Sequence, residues 1–199
     1  TDKSKLPIVE QYHFNSDVEN LVPGQSTTEI GGDINYVLQT FPNHHRALMS
    51  MTRLSTKFKT EKPSGAQYTP SCYFDRALRF RTDDGTVRVI YANYLAKNGK
   101  SVEAIKQMEE AEKVLGDNAN LQYNLGLVYF ALKDYDKALE NAHRAYQLGF
   151  PLPGLRNMLT RVGKWRESQP QEPANESEAP LPTPTATSEK AADDAPAGV

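Results

Sequence analysis

Two stretches of this chain repeat one another without a gap. The first, TVRVIYANYLAKNGKSVEAIKQMEEAEKVLGD, starts at Thr86, and the second, NLQYNLGLVYFALKDYDKALENAHRAYQLGFP, starts at Asn120. With the two stretches aligned from these residues, Ala104 recurs as Ala138 and Ala111 as Ala145. A repeated unit of this length buries its apolar face only by stacking on its neighbours, so the repeat constrains the fold more than any other feature.

The pattern inside each repeat predicts two helices joined by a tight turn. Apolar residues recur at helical spacing on both sides of residues 133–135, and Asn98-Gly99 is a turn signal at the matching place in the first stretch. Small residues such as Gly126 and Ala138 are expected where two antiparallel helices cross closely, because a large side chain there would force them apart.

The stretch YNLGLVYFALKDYDKALENAHRAYQL resembles the tetratricopeptide repeat family, with Gln122 standing where the family often has tryptophan and Ala142 where it often has an aromatic residue. The resemblance implies an all-α fold, a tetratricopeptide-repeat superhelix of stacked helix-turn-helix units. The positions that carry the repeat pattern in the two units are Ala92, Ala104, Ala111, Leu125, Gly126, Tyr129, Tyr135, Ala138 and Ala145.

The repeat frame extends in both directions and divides the chain into three parts. The array covers residues 29–166, with units at about 43–83, 84–117 and 118–151 and flanking helices at 29–41 and 152–166. The link Lys59–Pro70 is longer than the family's turn, and Pro63-Ser64-Gly65 within it predicts a projecting loop. Residues 1–28 are predicted to be an extended N-terminal arm, and residues 167–199 a disordered tail.

The arm is too apolar for a free tail. It either lies along the array and covers its apolar edge, or inserts into a neighbouring copy as exchanged segments do in oligomers. The residues expected to make these contacts are Leu6, Ile8, Val9, Tyr12 and Phe14.

The tail has no aromatic residue, contains six of the 13 prolines and carries a net charge of −6, which leaves +4 on residues 1–166 of a chain whose total is −2. Such a segment does not bury enough apolar surface to offset its ordering entropy. Asn175 begins a glycosylation sequon, and Thr183, Thr185 and Thr187 lie among prolines as in O-glycosylated stalks. An unmodified spacer is the alternative.

Patterns that would indicate an enzyme or a cofactor protein are missing from the sequence. The single cysteine, Cys72, excludes an intrachain disulfide, and the adjacent His44 and His45 diverge on a helix and do not chelate one metal easily. No glycine-rich phosphate loop and no apolar run long enough to span a membrane occur. We therefore expect no catalysis, no cofactor, no metal and no transmembrane segment. A body charge of +4 is weak for nucleic acid, so none is expected as a partner.

In the tetratricopeptide family the first helix of each unit lines a concave groove that binds a peptide or a helix. Met49 and Val89 stand where a chaperone-type carboxylate clamp needs polar residues, so capture of a C-terminal carboxylate is not expected. Carried onto this chain, the resemblance predicts a partner-binding groove of Arg46, Met49, Arg53, Lys57, Val89, Asn93, Lys97, Tyr123, Leu127, Phe130, Asn157 and Arg161, joined by Lys164. For Tyr123, Leu127 and Phe130 the alternative is that they pack against the closing helix or the N-terminal arm.

The sequence thus predicts a non-enzymatic protein–protein interaction scaffold that binds a peptide or helix of a partner protein. The alternative is a self-assembling structural subunit of an oligomer or an extracellular filament, joined through the arm and through stacking of the repeat ends. A start at Thr1 with a tail rich in proline and alanine favours an exported protein of the bacterial envelope, periplasmic or at the cell surface, whose signal peptide has been removed. A cytoplasmic location is the alternative.

Overall fold

The computed structural model describes residues 3–23 and 29–167, and the regular structure in these ranges is helical throughout. The chain divides into two units, Thr1–Arg166, which holds the helices, and Glu167–Val199. Apart from its first residue, Glu167, the predicted tail lies outside the described residues, with Asn175, Thr183, Thr185 and Thr187. After a short 3-10 turn at Lys3–Lys5, the helices are α1 (Leu6–His13), α2 (Ser16–Asn20), α3 (Ile30–Thr40), α4 (His45–Phe58), α5 (Pro70–Phe80), α6 (Gly85–Lys97), α7 (Ser101–Leu115), α8 (Ala119–Ala131), α9 (Tyr135–Gln147) and α10 (Gly154–Arg161).

The two repeats become two helical hairpins, α6/α7 and α8/α9, whose turns use the same hydrogen bond. In the first turn the N–H of Lys100 donates to the carbonyl of Leu95 at 2.9 Å. At the equivalent place in the second turn the N–H of Asp134 donates to the carbonyl of Tyr129 at 3.0 Å. These bonds satisfy carbonyls that a helix end otherwise leaves unpaired. The two sequence repeats therefore share the backbone hydrogen bonds of their turns as well as their residue pattern.

Small residues lie where the helices of each hairpin cross. The five repeat alanines are fully buried (Ala92, Ala104, Ala111, Ala138 and Ala145). A Cβ added at Gly126 would lie 2.5 Å from a methyl group of Leu155 and 3.3 Å from the carbonyl oxygen of Ala138. The close approach of α8 to α9 and α10 thus depends on the missing side chain at Gly126.

The first helices of successive pairs, α4, α6 and α8, lie side by side, and α10 packs on α8 and α9. Buried apolar residues form three successive clusters. One is built mainly from α1 to α5, the second from α6, α7 and α8, and the third from α8, α9 and α10. Each pair therefore buries its apolar face against the next, as a helical repeat requires.

The N-terminal segment is helical, so the prediction of an extended arm was wrong about its conformation. Residues 6–20 form α1 and α2, and Asn15 caps α2 by accepting from the N–H groups of Asp17 and Val18. Phe14 and Val18 are each 2% exposed and belong to the first cluster with residues of α3 and α4. The segment lies on its own chain. Apolar spacing in so short a stretch did not reveal the helices, which are stabilised by packing.

The link between α4 and α5 does not project, in contrast to the prediction. Pro63 and Ala66 are buried, and the hydroxyl of Ser64 donates to Glu29 Oε1 at 2.8 Å. A Cβ added at Gly31 would lie 2.0 Å from the carbonyl oxygen of Ser64, so the backbone of the link touches the backbone of α3. Glycine at position 31 is what allows this contact. Within the described residues no helix is long and apolar enough to cross a membrane.

Candidate partner-binding groove

A cavity of about 420 Å³ opens between α4 and α6, the first helices of two successive pairs. It adjoins a second cavity of about 330 Å³, with which it shares Thr56, Tyr94 and Lys97 and which adds Lys59 and Glu61. Together the two cavities form a continuous depression that we call the α4/α6 groove. The main cavity is lined by Met49, Thr52, Arg53, Thr56, Lys57, Ile90, Asn93, Tyr94 and Lys97.

Helical geometry places these side chains on facing surfaces. Met49, Arg53 and Lys57 follow one another at a spacing of four on α4, and Asn93 and Lys97 do the same on α6. The hydroxyls of Thr52 and Thr56 donate to carbonyl oxygens of α4 itself. These two hydroxyls donate within α4. The groups of the groove that can contact a partner are therefore mainly its cations and its apolar side chains.

Two of the groove cations also contact the backbone at the C-terminal end of α2. Arg53 Nη1 donates to the backbone carbonyl of Glu19 at 3.3 Å, and Lys57 Nζ donates to that of Leu21 at 3.2 Å. Each contact uses one of several donors, since a guanidinium has five N–H groups and an ammonium has three. The side chain of Lys97 is exposed and makes no hydrogen bond or ion pair within the described ranges.

Arg46, predicted for the groove, is instead engaged by the N-terminal segment. Its Nε donates to Glu19 Oε1 at 2.8 Å, its Nη2 donates to Glu19 Oε2, and its Nη1 donates to Glu10 Oε1 at 3.3 Å. The hydrogen bonds from Arg46 hold the pKa of Glu19 below its usual value, and the same bonds raise the pKa of Arg46. The sequence reasoning missed this because it left α2 out of the array.

The apolar part of the predicted groove is packed within the chain. The ring of Tyr123 stacks on that of Phe150 with centroids 4.0 Å apart, and that of Phe130 meets Tyr135 edge-on at 5.4 Å. Tyr123, Leu127 and Phe130 all pack against the cluster that contains Leu155 of α10. Closure of the array by α10 therefore covers this part of the α8 surface.

The remaining predicted groove residues lie in two places, both away from the α4/α6 groove. Asn157, Arg161 and Lys164 are exposed on or just after α10, away from the cavities between α4 and α6. Val89 packs on the middle cluster, whereas Ile90 and Tyr94 line the groove. A count of three residues back from Asn93, in place of four, would have selected Ile90.

The residues predicted for the assembly arm separate into buried and exposed sets. Val9 and Phe14 are in the core and Leu6 packs beside it, whereas Ile8 and Tyr12 are 55% and 62% exposed. Tyr36 of α3, 46% exposed, lies in the same region, since His13 of α1 has its ring 4.1 Å from that of Tyr36. The exposed surface of α1 therefore presents apolar side chains.

Three histidines each contact a carboxylate. His13 Nδ1 lies 3.0 Å from Asp33 Oδ1, and His44 Nε2 lies 2.9 Å from Glu10 Oε1. His45 Nε2 lies 3.1 Å from Asp84. In the part of the chain that the structure describes, no three histidine, cysteine, aspartate or glutamate side chains gather as metal ligands would. Cys72 is half-buried on α5. These histidine pairs join helices to one another.

Comparison with known proteins agrees with this architecture. The sequence model of the tetratricopeptide repeat matches residues 119–149, which comprise α8, α9 and the turns around them. The chain is also similar to DnaJ homolog subfamily C member 3 of Mus musculus, with 28% identity over 85 residues. That similarity covers 42% of this chain but only 17% of the relative. The chain thus spans a small part of the length of this relative.

The matched repeat and the stacked helical hairpins define a class of protein. Over the residues that the structure describes, the chain is an all-α protein of stacked helical hairpins, and residues 119–149 match the tetratricopeptide repeat.

Proposed function

We propose that this chain is a non-enzymatic scaffold that binds a peptide or a helix of a partner protein in the α4/α6 groove. The tetratricopeptide fold supports protein–protein interaction in general. The observation that carries the specific proposal is the cavity of about 420 Å³ between two first helices, where Met49 remains 41% exposed beside Ile90 and Tyr94. Exposed apolar side chains in a cleft with polar neighbours are typical of sites that bind another molecule.

The proposal is tested by quantitative capture of partners from native extract on the full chain and on two double variants. Met49→Ala with Lys97→Ala changes the groove, and Asn157→Ala with Arg161→Ala changes α10 alone. We expect the first double variant to lose the captured partner and the second to retain it, with equal helicity by circular dichroism. Retention by the groove variant would reject the α4/α6 groove as the binding site.

A second function, self-assembly through α1, is favoured by the exposure of Ile8, Tyr12 and Tyr36 at the N-terminal end of the array. Aromatic and aliphatic side chains are enriched in the cores of interfaces between subunits. Sedimentation velocity over a range of concentrations tests this function. We expect Ile8→Ser with Tyr12→Ser to abolish concentration-dependent association of the full chain, and a wild-type chain that stays monomeric would reject it.

We also propose that the protein is exported to the bacterial envelope, supported by the acidic composition of residues 167–199 with its proline and alanine. Fractionation of cells that express the full-length gene tests this location. Recovery in the envelope fraction is expected, and recovery in the cytosol alone would reject it.

A further inference from the structure

We infer that the partner segment is acidic, with an aliphatic or aromatic side chain between its carboxylates. Met49, Ile90 and Tyr94 would contact the apolar side chain, and Arg53, Lys57 and Lys97 the flanking carboxylates. This inference rests on the proposed function and names the chemistry of the partner at the same groove.

The first argument is the local charge. Three of the residues that line the main cavity are cations and none is an acid. The adjoining cavity adds Lys59 together with the single acid Glu61. A cleft lined by one sign of charge concentrates the field and raises both the rate and the selectivity with which an oppositely charged partner binds.

The second argument is that, among the described residues, no carboxylate forms a hydrogen bond or ion pair with Arg53, Lys57 or Lys97, whereas several other cations of the array have such a partner. Arg46 pairs with Glu19, Arg144 with Asp117, and Lys113 with Glu110. Arg53 and Lys57, in contrast, meet only neutral backbone carbonyls as hydrogen-bond partners, and within the described residues Lys97 meets none.

A carboxylate brought by a partner has a physical advantage over those carbonyls. The hydrogen bond that an ammonium or guanidinium makes with a carboxylate gains the attraction between two opposite charges, which its bond with a neutral carbonyl lacks. Arg53 and Lys57 lie on long flexible side chains, so they can exchange the carbonyls of Glu19 and Leu21 for a partner's carboxylates. Helix α2 would stay in place, because the buried side chain of Val18 holds it to the first cluster.

The third argument is the apolar surface between the cations. Ile90 and Tyr94 are half-buried and pack against the first cluster, which fixes their positions. Met49 faces them from α4, and its unbranched side chain adapts to the shape of whatever it contacts. A cavity of about 420 Å³ has room for a leucine or phenylalanine side chain and part of the adjoining segment.

The experiment begins with a library of random peptides displayed on phage and selected on the full chain. Selected peptides are synthesised with a fluorescent label, and their affinities are measured by fluorescence anisotropy at several salt concentrations. We expect the peptides to be enriched in aspartate and glutamate around one aliphatic or aromatic residue. We also expect their affinity to fall as salt rises, since exposed charge pairs are screened.

Variants assign the binding to the groove. Lys57→Glu with Lys97→Glu should weaken a selected peptide by about a hundredfold, because each favourable charge contact becomes a repulsion. Lys106→Glu with Lys133→Glu is the matched control, because it changes the net charge equally at exposed positions away from the groove. The control should leave the affinity within about twofold at physiological salt, where the Debye length is about 8 Å. Met49→Ala should weaken binding about tenfold and leave the salt dependence unchanged.

The remaining outcomes overturn this inference in ways that separate it from the proposed function. Failure to select any peptide would count against both. If the selected peptides are not enriched in acidic residues but still lose affinity on Met49→Ala, the inference of an acidic partner is rejected. The α4/α6 groove then remains the binding site. Acidic peptides weakened equally by both charge-reversed double variants would show general charge attraction and would also overturn it. Self-association of the wild type that disappears with Lys57→Glu and Lys97→Glu would identify the occupant as a second copy instead.

Discussion

Arg46 of α4 holds the carboxylate of Glu19 of α2 with two nitrogens, one of them Nε at 2.8 Å from Oε1. A third nitrogen reaches Glu10 of α1 at 3.3 Å. The side chain of Arg46 therefore connects both helices of the N-terminal segment to α4. The sequence pattern placed the same arginine in the partner-binding groove.

This contact predicts a dependence of stability on acid. Because the pKa of Glu19 is lower in the folded chain than its ordinary value of 4.5, the pair stabilises the fold above that pH. The contribution is lost as the pH falls from 4.5 through the lowered value. We expect Glu19→Gln to reduce the free energy of unfolding by about 0.5–1 kcal/mol at neutral pH, a small amount because Arg46 is half exposed.

Urea unfolding of the wild type and of Glu19→Gln across this pH range measures the effect. The two curves should converge at low pH, where Glu19 is protonated. Glu61→Gln is a suitable control, because Glu61 is exposed and forms no ion pair among the described residues. A difference between wild type and Glu19→Gln that persists unchanged into acid would contradict the assignment.

Phe14 should stabilise the array as a core residue although it lies outside the repeats. It is 2% exposed, and we expect Phe14→Ala to cost about 3–5 kcal/mol in the free energy of unfolding. Tyr12→Ala, which removes an aromatic ring that is 62% exposed, should cost less than about 0.5 kcal/mol. Thermal and urea unfolding compare the two variants. Equal costs would mean that the N-terminal segment does not pack on the array in solution.

Two adjacent glycines of α3 should respond oppositely to alanine. At Gly31 the new Cβ would lie 2.0 Å from the backbone oxygen of Ser64, so the link or α3 must move. We expect Gly31→Ala to cost about 3 kcal/mol. At Gly32 the nearest atom is 4.0 Å away, and Gly32→Ala should be neutral or stabilising by up to about 1 kcal/mol. Urea unfolding is again the measurement, and a neutral Gly31→Ala would contradict the contact between link and helix.

Two aspartates cap the first helix of one hairpin and the second helix of another, but only one of them is buried. Asp84 accepts from the N–H of Val87 at 3.0 Å, and Asp134 accepts from that of Lys137 at 3.3 Å. Burial alone would raise the pKa of Asp84, but the hydrogen bonds from Val87, His45 and Asn43 outweigh it and lower the pKa.

We therefore expect Asp134→Ala to cost about 1 kcal/mol, as loss of a helix cap does. Asp84→Ala should cost about 2–3 kcal/mol, because it also leaves the side chains of His45 and Asn43 without their acceptor. Chemical denaturation of both variants at neutral pH tests the difference. Similar losses of unfolding free energy in the two variants would show that the contacts of Asp84 with α4 and its entry turn do not contribute to stability.

The sequence predicted best what depends on regular spacing. Alanines at equivalent places of the two repeats, such as Ala104 and Ala138, predicted the close crossing of paired helices, and both are fully buried. The matched family segment, residues 119–149, lies within the unit predicted at 118–151. The resemblance to the family also selected Met49, Arg53, Lys57, Asn93 and Lys97, which all line the main cavity.

The sequence could not predict what depends on contacts between distant segments. Nothing in the sequence around Arg46 indicates that it forms an ion pair with Glu19, which lies far earlier in the chain. Tyr123 and Phe130 have the spacing of groove residues, and only the position of α10 and of Phe150 shows that they pack inward. Gly31 lies in a predicted helix, and nothing in the sequence indicates that Ser64 lies against it. These are tertiary contacts, which periodicity does not encode.

The link between α4 and α5 gives the array a preferred order of unfolding. In a stack of identical units each unit contacts only its neighbours, and opening starts at either end with equal ease. Here Ser64 binds Glu29, and the hydroxyl of Tyr73 on α5 donates to Asn35 of α3, so the N-terminal end is tied across more than one neighbour. Unfolding should therefore begin with α10 and α9. Helix α4, which carries most of the groove cations, should keep its packing contacts longest.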